Sequence, residues 1–72
     1  MADYDLTAAD KIAVINSHIK NINYNKFNAE LVIIEENATS TPSTTKIADA
    51  NDQIDEADAQ IEALEARITA LS

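Results

Sequence analysis

Cysteine, glycine and tryptophan are absent from this chain of 72 residues, and proline occurs once. Without cysteine, disulfide bonds are excluded and the redox compartment cannot be inferred. No apolar run approaches the ~18–20 residues that a membrane span requires, and Leu31–Ile34 is only four residues long. Lysine and arginine together number 5 against 13 acidic residues, which gives a net charge of -8. Direct binding to nucleic-acid phosphates is therefore not expected, because such binding depends on clusters of cations.

The mass of 7.8 kDa is the second constraint on the fold. A chain this short forms one domain at most and buries too little surface to be stable without a supplement. Because a disulfide is excluded and no set of metal ligands is visible, we expect self-association or a partner helix to supply the missing stability. The acidic amino terminus shows no secretion signal, so a cytoplasmic location is expected.

The second half of the chain carries the clearest pattern. Apolar residues recur at alternating spacings of three and four, which is the heptad repeat of a coiled coil. The pattern predicts a helix over about 43–71, begun either by Thr41 with Pro42 or by Ser43. The residues of this stripe are Ile47, Ala50, Ile54, Ala57, Ile61, Leu64, Ile68 and Leu71.

The first half repeats the pattern less regularly. Thr7 and Asp10 fit a capping box at the start of a helix over about 7–37. The heptad spacing leads from Ile12 to Ile22 and would next reach Lys26, where an apolar residue is missing; it resumes one residue later at Phe27. Two interpretations remain. A continuous helix absorbs the extra residue by local unwinding, or two helices are separated near Asn23–Asn25. The first is favoured, because no glycine or proline enforces a break.

Between the two patterns lies a polar segment with the only proline, which predicts a loop over about 38–42. A short loop favours antiparallel neighbours, so the predicted fold is an all-α, coiled-coil-like two-helix hairpin spanning 1–72 as a single domain. We expect such hairpins to assemble into a helical-bundle oligomer, and a long parallel coiled coil of the second helix is the structural alternative. The predicted packing residues are Ile12, Ile15, Ile19, Ile22, Phe27, Leu31, Ile34, Ile47, Ile54, Ile61, Leu64, Ile68 and Leu71. Expected exposed ion pairs are Lys46 with Glu35 and Lys26 with Asp55.

Other apolar residues lie beside these stripes and form a possible oligomer face. They are Val14, Tyr24, Val32, Ile33, Ala59, Ala63, Ala66 and Ala70. The alanines also suit a solvated helix surface, because alanine is a good helix former wherever it stands.

The sequence predicts no enzymatic activity, cofactor, metal site or small-molecule substrate. His18 is the only histidine, which rules out a zinc site with several His or Cys ligands in one chain. The spacing of Asp49, Asn51, Gln53 and Asp55 resembles the start of a calcium loop, but Ile54 occupies the position of the required glycine. The acidic residues of the second helix indicate either a solvated face or a surface that mimics phosphate groups.

The segments Asp5–Ile12, Ile15–Asn21, Tyr24–Asn28 and Ile34–Ala38 together resemble short uncharacterised proteins of marine tailed bacteriophages. The resemblance implies a virion-associated or accessory phage protein without catalytic residues. The expected location of the protein is therefore either the cytoplasm or the virion. Two functions follow: a structural or protein-interaction module that self-associates through its helical stripes, or an acidic inhibitor or regulator that binds a basic surface of a host nucleic-acid-binding protein.

Overall fold

The computed structural model describes residues 5–72, which form two long helices joined by one short loop. Helix α1 spans Ala8–Asn37 and helix α2 spans Thr44–Leu71. The two helices pack along each other in a hairpin, and no strand occurs in this part of the chain. The predicted all-α hairpin is therefore confirmed. Helix α1 runs without a break through its asparagine-rich segment, so the alternative of two separate helices is wrong.

Side chains that satisfy free backbone groups define where both helices start. At α1, the Thr7 hydroxyl accepts from the backbone N–H of Asp10, and the Asp10 carboxylate accepts from the backbone N–H of Thr7, each at 3.1 Å. This is the predicted capping box, which satisfies two otherwise unpaired donors. At α2, the Ser43 hydroxyl accepts from the backbone N–H of Lys46 at 3.3 Å. Ser43, rather than Thr41 with Pro42, is therefore the cap.

Glu36 connects the end of α1 to the start of α2. One of its carboxylate oxygens accepts a hydrogen bond from the backbone N–H of Ser43 at 2.9 Å. Its backbone carbonyl accepts from the Thr39 hydroxyl at 2.8 Å. The N–H of a helix cap has no partner within its own helix, so the Glu36 carboxylate supplies one across the loop.

The inner stripe of α2 is the line of residues that faces α1. Its members are buried or half-buried, whereas the other residues of α2 are exposed. They are the eight residues that the heptad spacing singles out: Ile47, Ala50, Ile54, Ala57, Ile61, Leu64, Ile68 and Leu71.

The inner stripe of α1 continues through Lys26 without the predicted shift. After Ile22, the shielded residues Lys26, Ala29, Ile33 and Glu36 maintain the alternating spacing of four and three, and Glu30 beside them is also half-buried. Placing Phe27 and Ile34 in the contact between the helices is wrong, since they are 57% and 63% exposed. Leu31 is half-buried, but its heptad position lies with these two exposed residues on the outer side of α1. The inner stripe of α1 therefore comprises Ile12, Ile15, Ile19, Ile22, Lys26, Ala29, Ile33 and Glu36.

The inner contact tolerates two charged residues because each has a polar partner across the hairpin. Lys26 pairs with Asp58, and Glu36 accepts the N–H of Ser43. A partly shielded charge with a partner costs far less than an unpaired one. This pairing makes Lys26 and Glu36 compatible with positions that face α2, on the same line of the helix as Ile22, Ala29 and Ile33.

The most tightly packed part of the hairpin is the half nearest the loop. The buried residues among 5–72 are three alanines, Ala29, Ala50 and Ala57, at 2%, 3% and 6% exposure. Counting along both inner stripes from Lys26 and Ala57, the stripe residue next to Asp58, places Ile33 opposite Ala50 and Ala29 opposite Ile54. Small residues thus face large ones, an arrangement that fills space between close helices. Towards the open end, large residues face large ones and remain half-buried.

Candidate interaction surface

The outer stripe of α1 is the largest apolar feature that the hairpin leaves uncovered. It consists of Tyr24, Phe27, Leu31 and Ile34, whose spacings of three, four and three place them along one line of the helix. Tyr24, Phe27 and Ile34 are 64%, 57% and 63% exposed. Aromatic side chains bury about 150–250 Å² each when covered, so the stripe exposes apolar surface on the order of 350 Å². A patch of this size on a small protein often marks an interaction site.

The seven predicted packing residues of α1 thus fall into two groups. Ile12, Ile15, Ile19 and Ile22 lie half-buried along the inner stripe of α1, opposite the stripe of α2. The remaining three, Phe27, Leu31 and Ile34, lie together on the opposite side of α1, where they join Tyr24. The sequence pattern therefore identified real apolar stripes but assigned one of them to the wrong side of the helix.

The predicted oligomer face is not one surface. Ile33 is half-buried and lies on the inner stripe, so its assignment to an outward face is wrong. Val14 and Val32 are 49% and 39% exposed and lie on the flank of α1 rather than on the outer stripe. Exposed positions on α2 hold the four alanines Ala59, Ala63, Ala66 and Ala70. Of the eight predicted residues, Tyr24 alone belongs to the outer stripe.

Within residues 5–72, the ion pair between Lys26 and Asp58 is the one that forms, with Nζ and Oδ1 separated by 2.6 Å. The hydrogen bond that Lys26 donates to Asp58 raises the pKa of Lys26 above its usual value, and the negative charges of Asp58 and Glu30 act in the same direction. Desolvation of the Lys26 ammonium group lowers its pKa and is second in size only to the hydrogen bond. The expected pairs of Lys46 with Glu35 and of Lys26 with Asp55 are wrong. Lys26 contacts α2 at Asp58, which lies about one helical turn beyond the Asp55 that the shifted spacing implied.

The acidic residues of α2 lie outside the inner stripe and are exposed to solvent. Asp58 is engaged by Lys26 on one flank of the hairpin. The others are exposed around the rest of α2, with Glu56 and Glu65 at the edges of the grooves between the helices: Asp49, Asp52, Asp55, Glu56, Glu62 and Glu65. The exposed surface of α2 therefore carries negative charge that repels other acidic surfaces and attracts basic ones.

The depressions of the hairpin are shallow grooves between the helices. One near the middle is lined by Asn25, Asn28, Gln53 and Gln60, and one at the open end is lined by Leu6, Val14, Arg67 and Leu71. No cluster of three or more metal-ligating side chains occurs in residues 5–72, and His18 is exposed. Over the same residues, neither helix is apolar enough along its length to cross a membrane.

Sequence reasoning missed Lys26, Ala29 and Glu36 as contact residues. The signal that identifies them is the spacing itself: steps of four, three, four and three from Ile22 reach Lys26, Ala29, Ile33 and Glu36 in turn. The side of α1 that faces α2 is therefore predicted correctly when continuity of the heptad spacing is given more weight than the apolarity of each residue.

No family model, curated protein or solved structure matches this chain.

Proposed function

We propose that the chain is a noncatalytic protein-interaction module that self-associates through an exposed helical stripe. The observation that carries this proposal is the outer stripe of α1, which displays two aromatic residues and an isoleucine on a hairpin whose fully buried residues are three alanines. A small chain with so little buried surface gains stability by covering such a stripe. Within residues 5–72, the grooves between the helices are shallow and bring together no grouping of side chains suited to catalysis.

A structural or accessory role in a bacteriophage particle is the biological setting that fits this module. The support is the resemblance of the chain to small phage proteins, together with an acidic, elongated hairpin suited to repeated contacts between copies. Purified particles that contain the chain in stoichiometric amounts would favour a virion component. Its presence only in infected-cell extract would favour an accessory role.

Light scattering across a concentration series tests the self-association. A folded hairpin that self-associates gives a mass that rises above 7.8 kDa as its concentration increases. A mass that stays at the monomer value into the millimolar range contradicts the proposal.

The exposed acidic face of α2 favours a second candidate function, an acidic regulator that occupies the basic surface of a nucleic-acid-binding protein. Contacts of this kind weaken steeply as salt rises, because screening shortens the range of the charges. Apolar contacts persist under the same conditions. A salt titration of the complex with any captured basic protein therefore separates the two functions.

A further inference from the structure

We propose that the partner of the outer stripe is a second copy of this chain, bound antiparallel to the first. The two-fold axis passes beside the outer stripe, at the level of residue 29 along the helix. This inference rests on the proposed self-association and adds the face, the partner and the direction. The axis lies close to the loop, so the two hairpins overlap through the second halves of their α1 helices and their open ends point away from each other.

The spacing of the outer stripe is the first argument. Steps of three, four and three read the same in both directions along the helix. When two such stripes run antiparallel, Tyr24 of one copy meets Ile34 of the other, and Phe27 meets Leu31. An aromatic residue then faces an aliphatic one in each of the four layers, and each apolar residue of the stripe is covered.

The charges beside the stripe are the second argument. Lys20 lies one turn before Tyr24 on the same line of the helix, and Glu35 flanks the stripe at its other end; both are exposed. Antiparallel pairing brings Lys20 of one copy within a turn of Glu35 of the other. One like-charge contact remains, between the two copies of Glu30 beside the axis.

Parallel pairing is disfavoured by the same charges. It places Lys20 against Lys20 in the line of the stripe and Glu30 against Glu35 on both flanks. Like charges at such facing positions select against an arrangement, as they do in coiled coils. The residues in and beside the outer stripe therefore favour the antiparallel direction of pairing as well as the contact between two copies.

The area of the outer stripe limits how tightly two hairpins can bind. The total accessible surface of 5434 Å² exceeds by about 1,000 Å² the value of about 4,400 Å² expected for a compact protein of this mass, because the hairpin is elongated. A subunit in a specific dimer covers about 800 Å². The outer stripe exposes apolar surface on the order of 350 Å², so a dimer formed through it should dissociate on dilution.

Sedimentation velocity of the whole chain and two variants tests the face. Phe27→Glu places a charge in the stripe, whereas Val14→Glu introduces the same charge at an exposed valine on the flank of α1. We expect the wild type and Val14→Glu to shift towards twice the monomer mass as concentration rises, and Phe27→Glu to remain a monomer. Circular dichroism checks that the helix content is unchanged, and Ile34→Glu serves as a second variant should Phe27→Glu lose helix content.

Single cysteines test the direction, because the natural chain contains none. Asn28→Cys lies beside the proposed axis and should form a disulfide-linked dimer on mild oxidation. Lys20→Cys should not, since two copies of residue 20 would lie about 27 Å apart along the helices at 1.5 Å per residue. Disulfide formation at Lys20→Cys as efficient as at Asn28→Cys overturns the antiparallel arrangement.

The remaining outcomes separate this inference from the proposed function. If Phe27→Glu associates as strongly as the wild type, the copies meet through another face. In that case this inference fails while self-association stands. If the wild type stays a monomer at every concentration, both are refuted.

Discussion

Lys26 shows how one charged residue can define the packing of a helix pair. It stands at a heptad position of the inner stripe, where its ammonium group reaches Asp58 across the hairpin at 2.6 Å. Glu36 acts similarly at the end of α1 by accepting the N–H of Ser43. Judged by hydropathy alone, neither residue is expected in a contact between helices. Each is compatible with the contact because it has a polar partner, 32 and 7 residues away in the sequence.

Alkaline pH should weaken the hairpin through Lys26. The pKa of Lys26 is raised in the folded chain, so its contribution to stability is fully present below the unfolded pKa of about 10.4 and is lost as pH rises through the higher folded pKa. Urea titrations at pH 9 and pH 12 measure the loss for the wild type and for Lys26→Met. Other lysines and tyrosines titrate in both proteins, so the difference between them isolates Lys26. An equal loss in both proteins would show that the ion pair contributes nothing.

Glu36 is expected to stabilise the loop through its hydrogen bond rather than through its charge. Glu36→Ala removes the acceptor of the Ser43 N–H and should lower the free energy of unfolding by about 1 kcal/mol. Glu36→Gln retains an acceptor oxygen, so its effect should be within about 0.5 kcal/mol. Thermal unfolding followed by circular dichroism compares the two variants. Equal effects would mean that the charge, not the hydrogen bond, matters at this position.

At the scale of the helices, the sequence predicted most of the architecture but not which side of α1 faces α2. The capping box at Thr7, the length of both helices and the whole stripe of α2 follow from local patterns. Between residues 24 and 34, however, α1 carries two heptad stripes, and the more apolar one faces outward. Local hydropathy favours Phe27 and Ile34 for the contact, whereas continuity with Ile22 favours Lys26 and Ile33. The pairing of Lys26 with Asp58 resolves the choice, and it depends on the tertiary structure.

Ile33 and Ile34 provide a matched pair for testing this assignment, because Ile33 is half-buried on the inner stripe whereas the adjacent Ile34 is 63% exposed on the outer stripe. Ile33→Ala should lower the free energy of unfolding by about 1–2 kcal/mol, less than for a fully buried isoleucine. At low protein concentration, Ile34→Ala should change it by no more than about 0.5 kcal/mol. Urea unfolding at micromolar concentration compares them. A larger loss of unfolding free energy from Ile34→Ala than from Ile33→Ala would show that Ile34, not Ile33, faces α2.

Repeating the comparison at high concentration separates the two roles. If the outer stripe covers a second copy, Ile34→Ala should then lower the melting temperature relative to the wild type, because association no longer stabilises the folded state. Ile33→Ala should destabilise the hairpin at both concentrations. A melting temperature of the wild type that is independent of concentration would contradict association through this face.

The whole molecule is a thin rod rather than a sphere. It measures 61 × 17 × 14 Å, and its radius of gyration of 17.0 Å exceeds the value of about 11 Å for a compact domain of this length. In such a shape nearly every residue lies at or near the surface, which explains why three small side chains are the fully buried ones. The hairpin therefore depends on the continuity of two stripes along its length, and its outer stripe remains available for a second copy.

A distance measured within one chain tests this hairpin most directly. Asn16→Cys and Thr69→Cys place spin labels on residues of α1 and α2 that line a further groove between the helices, in the half of the hairpin away from the loop. Labelled chains diluted in excess unlabelled protein report only distances within a chain. Because packed helices lie about 8–10 Å apart, we expect a single label-to-label distance below about 20 Å. A distance above about 40 Å would contradict the hairpin and indicate instead that the two helices pair with other chains.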